Sequence, residues 1–290
     1  MTEITLNDKI PDKSAVALGL FDGIHCGHRL IIDKACGYGL TPAVFTFRSE
    51  SVKFKHGKPF EYIYTNNQKF HYFDKIGVQY VLSPDFDSIR NMSGEEFVKK
   101  VLCDCMNTGA VVCGDNFRFG KNASCGVSEL KGFSEKYGFF LEVVTIGKNS
   151  FSSEKFRSIL RNGETSTENP YILYGEVVHG KQIGRTINFP TLNQNYAVGQ
   201  LVPKYGVYFT RTNIDGVIYN SITNVGVKPT IAGERMPLAE THVLDFSGNV
   251  YGKYIEVEFC KFIRPEMKFS SVDELKKQIS KDIDTVCSFI

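Results

Sequence analysis

The sequence predicts two units: an α/β unit on a mainly parallel sheet, followed by an antiparallel β-barrel with a C-terminal helix. Three observations carry this expectation. Up to about residue 163, short apolar runs alternate with helical patterns, which is the rhythm of βαβ units. From about residue 171 the runs are rich in β-branched and aromatic residues, and turns rather than helices separate them. A length of 290 residues fits two domains, each large enough to bury its own core.

Taken in order, residues 15–20 read as a buried strand and 28–36 as the helix it feeds. Residues 42–47, 77–82, 110–113 and 139–146 read as further strands of the first sheet. Among them Ser93 and Glu96 form a capping box, after which Phe97, Val98, Val101 and Leu102 recur at helical spacing. In the second half, residues 171–179, 207–212, 217–225, 241–246 and 254–263 read as strands, with Asp215-Gly216 as a hairpin turn. Ser271 and Glu274 open the closing helix, and Leu275, Ile279, Ile283 and Val286 trace its apolar face. The polar residues 162–170 read as the linker, which sets the domains at 1–164 and 170–290.

Charge and composition exclude several classes of function. A net charge of +2, with no long basic run, gives no reason to expect nucleic acid as a partner. No stretch approaches ~18 consecutive apolar residues, and the first residues lack a signal-peptide pattern, so no membrane role is expected. The eight cysteines contain no C-x-x-C pair, and reduced thiols in a cytoplasmic protein are the expectation.

The richest segment is F-D-G-I-H-C-G-H at 21–28. A strand that feeds a helix through a glycine turn, here Gly23, gathers backbone N–H groups at the positive helix end. His25 and His28 can add hydrogen bonds to triphosphate oxygens as the α-phosphate is attacked. A strand–turn–helix corner with incidental histidines is the alternative. There is no P-loop: Gly114 to Lys121 has the wrong spacing and lacks the Ser/Thr that would hold magnesium. In the second half, Gly180, Lys181 and Arg185 can form a phosphate-binding flap. Thr191 and Asn193 are neutral oxygen ligands two residues apart, so an extended segment turns them to the same side. Glu240 is a carboxylate at the head of a strand, able to accept a proton from an alcohol. Polar turn tips and a solvated strand-end Glu are the alternatives for these two segments.

Seven segments in order, F-D-G-I-H-C-G-H, G-D-N-F-R-F-G, S-S-E-K-F-R, G-K-Q-I-G-R-T-I-N-F-P-T-L-N, Y-G-V-Y, N-V-G-V-K-P-T and E-T-H-V-L-D-F, resemble the bacterial bifunctional riboflavin kinase/FAD synthetase family. The closing Y-G-K-Y-I-E-V-E-F does so too, and the resemblance covers nearly the whole chain. It implies a Rossmann-like FMN adenylyltransferase in the first half and a riboflavin kinase in the second. Riboflavin, FMN, FAD and ATP are then the partners, with Mg2+ as cofactor. By the same resemblance His25 and His28 bind ATP phosphates, and Asn116 contacts substrate, while Phe117 and Phe119 are structural. Ser152, Ser153 and Arg157 close on the triphosphate. Thr191 and Asn193 serve magnesium and ATP, and Glu240 is the base toward the ribityl 5′-hydroxyl.

Departures from the family pattern cluster in the first half. Glu154 stands where the family has Thr, and Lys155 where it has its next Arg. The usual P-H-P after the second strand is absent, and G-D is replaced by Gly126-Val127. A carboxylate that faces a triphosphate would repel it, whereas one turned outward would not. A kinase with an impaired adenylyltransferase half, and a flavin-binding regulator without catalysis, therefore remain as alternatives. A different nucleotidyltransferase would explain the histidines and leave residues 171–290 unexplained.

Overall fold

The computed structural model describes residues 1–55, 58–145, 151–179, 189–229 and 235–289. The chain forms two compact units, Met1–Ser153 and Glu154–Ile290. In the first unit the strands β1 (Thr2–Ile4), β2 (Ser14–Leu18), β3 (Thr41–Phe45), β6 (Tyr80–Leu82), β7 (Thr108–Gly114) and β8 (Phe140–Val144) build one sheet. Its order is β1-β6-β3-β2-β7-β8, and every pairing is parallel. A two-residue pair, β4 (Phe54–Lys55) and β5 (Lys58–Pro59), stands apart. All of β2 is buried, as a central strand covered on both faces must be.

The helices are α1 (Cys26–Cys36), α2 (Asn66–Lys75), α3 (Phe86–Ile89), α4 (Gly94–Glu96) and α5 (Val127–Tyr137). The Ser93–Glu96 capping box forms as predicted, and α4 continues as a π-wound turn over Phe97–Cys105. Val16, Leu18, Phe45, Phe97, Val101 and Val111 share the core of this unit with Phe119. Phe117 packs against that core, and its ring stacks on Phe119 at 5.7 Å, which fits the structural role read for both.

α1 starts at Cys26, two residues before the predicted 28, so His25 is its N-cap and His28 lies in its first turn. Three helices of this unit, α2, α3 and α5, were not anticipated. α2 carries a full Thr65–Gln68 capping box, a signal that was there to be read.

The second unit begins within α6 (Ser153–Asn162), which the sequence reading placed with the first half. The reason is packing: Phe156 meets Tyr171 edge-on at 6.5 Å, and the Lys204 N–H donates to the Leu160 carbonyl at 2.9 Å. Its strands are β9 (Tyr171–Glu176), β10 (Leu192–Asn195), β11 (Gly206–Ile214), β12 (Val217–Pro229), β13 (Arg235–Val243) and β14 (Tyr254–Arg264). They form an antiparallel sheet in the order β10-β13-β12-β11-β14-β9. The Val178 N–H donates to the Asn193 carbonyl at 2.8 Å, which returns the β9 edge to β10 and closes the sheet toward a barrel.

Side chains alternate between the inside and the outside of this barrel. Inside, Thr212, Ser221, Thr210, Thr223 and Thr241 form an unbroken line of hydroxyl–hydroxyl bonds of 2.7–2.8 Å. These hydroxyls are shut off from water, so they satisfy one another. Outside, α7 (Val272–Cys287) lays Ile283 and Val286 on Val207, Phe209, Ile222 and Leu244. Arg264 clamps Asp282 through Nε and Nη2, the shortest contact being 2.7 Å, and ties α7 to β14. The strand expected at 241–246 instead spans Arg235–Val243 and ends where Asp245 turns left-handed at φ 56°.

Candidate active sites

The first site lies where the strand order reverses. From β2 the chain steps to β3 on one side and later returns to β7 on the other. A crevice opens beyond the carboxyl ends at such a point, and ligands of parallel sheets bind there. β2 and β7 are paired, Leu18 opposite Cys113, so the segment from residue 19 to His28 and the turn with exposed Asn116 leave the same edge.

The turn into α1 is strained. Phe21 and Ile24 have φ of 49° and 38°, and only Gly23, at 84°, adopts this region without cost. Such strain persists only where the surroundings hold it. The holder is Asp22, 3% exposed, whose carboxylate accepts the N–H groups of Ile63 at 2.7 Å and Tyr64 at 3.4 Å. Ser153 Oγ donates to the Asp22 carbonyl at 2.9 Å, which brings the second serine of the S-S pair to this turn. Ser152, next to it, is exposed.

The turn delivers His25 and His28 stacked, with ring centroids 3.7 Å apart. The Phe151 ring lies 6.0 Å from His25, and Phe21 meets His28 edge-on at 5.4 Å. Burial, helped by the nearby Arg29 cation, pushes His25 down to about 4, so its imidazole is neutral at pH 7. Among the described residues its buried Nδ1 has no hydrogen-bond partner. The His25 side chain makes no cap bond to α1, and a helix N-terminus favours an anion, so the corner suits a phosphate.

Beneath it lies a lysine that sequence reading missed. Lys69 of α2 is buried, and its ammonium donates to the Phe47 carbonyl at 2.6 Å. Burial pushes it down to about 8, although Asp22 and Glu50 work in the opposite direction. Its capping box was the only sequence signal for the helix that carries it.

Arg157 belongs to the second unit, where it is buried and paired with Glu154 at 3.4 Å. Glu154 itself is 79% exposed and also reaches Arg161 at 3.9 Å. Val127, the other altered motif position, opens α5, and the Gly126 N–H before it donates to Glu129 at 2.6 Å.

The second site is a row across three strands. β13 pairs Glu240 with Asn193 on β10 and with Asn224 on β12. Thr241 points inward to the hydroxyl line, so Glu240 and His242 face outward. Glu240 is thus inside a strand and paired on both sides, not at a strand head as predicted. Asn193 is 4% exposed, and among the described residues its Oδ1 has no hydrogen-bond partner. A buried neutral oxygen left open beside a carboxylate fits a magnesium–phosphate ligand. No cluster of three His, Cys, Asp or Glu suited to a metal occurs among the described residues. Thr191 is half-buried just before β10, while Gly180, Lys181 and Arg185 lie outside the described residues. An open hollow of about 490 Å³ adjoins the row, between His242, Leu244, Phe246 and the α7 residues Ile283 and Cys287.

A switch-point crevice with paired histidines, and a barrel with an outward carboxylate between amides, define a two-unit transferase acting on phosphates. Comparisons agree: residues 7–158 match the FAD synthetase family profile, and residues 167–290 match the riboflavin kinase profile. The chain is 35% identical to a bifunctional riboflavin kinase/FMN adenylyltransferase of Haemophilus influenzae, over 95% of this chain and 94% of that protein. It is 33% identical to the protein of the same name from Bacillus subtilis, over 93% and 90% of the two chains. A crystal structure titled a macrolide-efflux protein, from Streptococcus pneumoniae, superposes with a TM-score of 0.79 at 26% identity and covers 99% of both chains. Among the described residues no helix is long and apolar enough to cross a membrane. The chain belongs to the bifunctional riboflavin kinase/FMN adenylyltransferase family.

Proposed function

We propose that this chain transfers the γ-phosphoryl group of ATP to riboflavin, giving FMN, and then joins FMN to ATP, giving FAD and pyrophosphate. The functional modules are residues 1–164 for adenylyl transfer and 170–290 for the kinase. The observation that carries the kinase assignment is the pairing of Glu240 with Asn193 in a family of riboflavin kinases. Glu240 accepts the proton of the ribityl 5′-hydroxyl as its oxygen attacks the γ-phosphorus and ADP leaves. Thr191 and Asn193 would hold Mg2+, which would offset charge on the ATP phosphates. Gly180, Lys181 and Arg185 close over those phosphates.

In the first module a phosphate oxygen of FMN attacks the α-phosphorus of ATP, and pyrophosphate leaves. His25, neutral at pH 7, acts there as a dipolar hydrogen-bond donor rather than as a cation. His28 donates beside it, Gly23 lets the turn approach the phosphates, and Asn116, Ser152, Ser153 and Arg157 bind substrate oxygens. The outward, arginine-paired Glu154 supports a working adenylyltransferase over an impaired one. All eight cysteines are free, which suits a cytoplasmic protein.

The test is to incubate purified protein with riboflavin, ATP and magnesium and to separate the products. FMN followed by FAD is expected. FMN alone would return the first module to a silent role, and neither product would leave a binding protein.

A further inference from the structure

The kinase ligands Thr191 and Asn193 are held by different means. Asn193 sits in the ladder, paired to Glu240, whereas the β10 ladder begins only at Leu192. Residues 189–191 lie ahead of it, and Pro190 has no N–H to donate. The contact that meets this segment comes from β13. His242 Nδ1 lies 2.9 Å from the Pro190 carbonyl, and the Phe189 ring meets the imidazole edge-on at 5.4 Å. A carbonyl oxygen only accepts, so Nδ1 carries the proton in this bond. Leu192 pairs with Thr241, and continuing that register by one step sets Thr191 opposite His242. His242 also shares the outward face of Glu240, two residues away.

We propose that His242 is a positioning residue of the kinase site: its Nδ1–H pins the Pro190 carbonyl and thereby fixes Thr191 beside Glu240. The inference rests on the kinase reading above. The imidazole touches no reacting atom in this role. It gives the Pro190 carbonyl a donor ahead of the ladder, and it sets where the first oxygen ligand stands relative to the base. Phosphoryl transfer depends largely on such placement.

The experiment compares His242→Ala, His242→Asn and His242→Gln in the full chain, with riboflavin kinase kinetics measured against magnesium-ATP. Adenylylation of supplied FMN by the same preparations reports whether the protein is intact. The Asn amide N–H reaches the place of Nδ1, whereas the longer Gln amide reaches the place of Nε2. One hydrogen bond is typically worth about 3- to 10-fold. His242→Ala and His242→Gln should therefore raise the KM for magnesium-ATP and lower kcat by about that factor, with FAD formation from FMN unchanged. His242→Asn should recover most of the loss. Wild-type kinase kinetics in His242→Ala would overturn the proposal. If the Ala variant does not fold, equal kinase activity of the Asn and Gln variants would overturn it as well. A wild-type protein that makes no FMN removes the kinase reading, and this inference with it.

Discussion

The two sites are built in opposite ways. In the barrel, Glu240 stands inside a strand hydrogen-bonded on both sides, so its place is set by sheet register over many residues. In the α/β unit, His25 and His28 hang on a turn with two non-glycine residues at positive φ, and one carboxylate, Asp22, grips that turn. A ladder shares its load among many bonds, whereas the turn is held through the few bonds made at Asp22. The barrel site should then be sensitive at its chemical groups and tolerant around them. The crevice site should be sensitive at its anchor as well.

The largest effect expected is at the chemical groups. Glu240→Gln should lower FMN formation by roughly 10²–10⁴-fold, the usual worth of a positioned general base, without touching adenylylation of supplied FMN. In the other unit, His28→Ala removes one donor to developing charge. FAD formation from FMN should fall by roughly 10²–10³-fold while FMN formation continues. Loss of both activities in either folded variant would break the division of labour between the units.

The comparison itself is tested at Asp22. Truncation to Ala leaves the buried N–H groups of Ile63 and Tyr64 without their acceptor and frees the strained turn. Each unsatisfied buried group costs about 1–3 kcal/mol, so FAD synthesis should fall by about 10- to 100-fold through loss of histidine placement. Asp22→Asn keeps an acceptor oxygen and should retain more activity than Asp22→Ala. Equal activity in the two variants, or an inert Asp22→Ala, would mean that the turn holds its shape without the anchor.

How much of this was legible beforehand follows the same divide. The alternation of strands and helices, the barrel's β-branched runs and the paired histidines are local patterns, and the fold bears them out. The grip of Asp22 is not local: its partners lie some forty residues on, and nothing about an Asp beside a Gly announces them. β13 was misread for another reason. The predicted strand began at residue 241, whereas β13 starts at Arg235 and runs through Pro237, a residue type that argues against a central strand. That error placed Glu240 at a strand head and hid its pairing with Asn193 and Asn224.

Acid separates the units less sharply but in a defined direction. His25 and Lys69, both in the first unit, have depressed proton affinities, about 4 and about 8, because burial disfavours their charged forms. The unfolded chain binds the proton more readily, so stability falls as pH drops through each interval. For Lys69 that interval runs from its ordinary 10.5 to about 8, and for His25 from 6.5 to about 4. Unfolding monitored between pH 7 and pH 4 should show an acid-dependent loss in the first unit, with His25→Asn flattening that slope. A slope unchanged in the variant would assign the acid sensitivity elsewhere.

The smallest effect expected is at Glu154, where the family pattern is broken. A carboxylate facing a triphosphate would raise the barrier to adenylyl transfer, and replacing it would speed the reaction. Glu154 instead lies in the first turn of α6, with its side chain 79% exposed and turned to Arg157 and Arg161 of its own helix. An acid in a helix's first turn is favoured by the dipole, and an exposed pair such as this is worth little. Glu154→Thr should therefore change the kcat and the ATP KM of FAD synthesis by less than about threefold, within what an exposed pair can supply. A rise in rate of tenfold or more would show that the carboxylate swings toward the nucleotide when ATP binds.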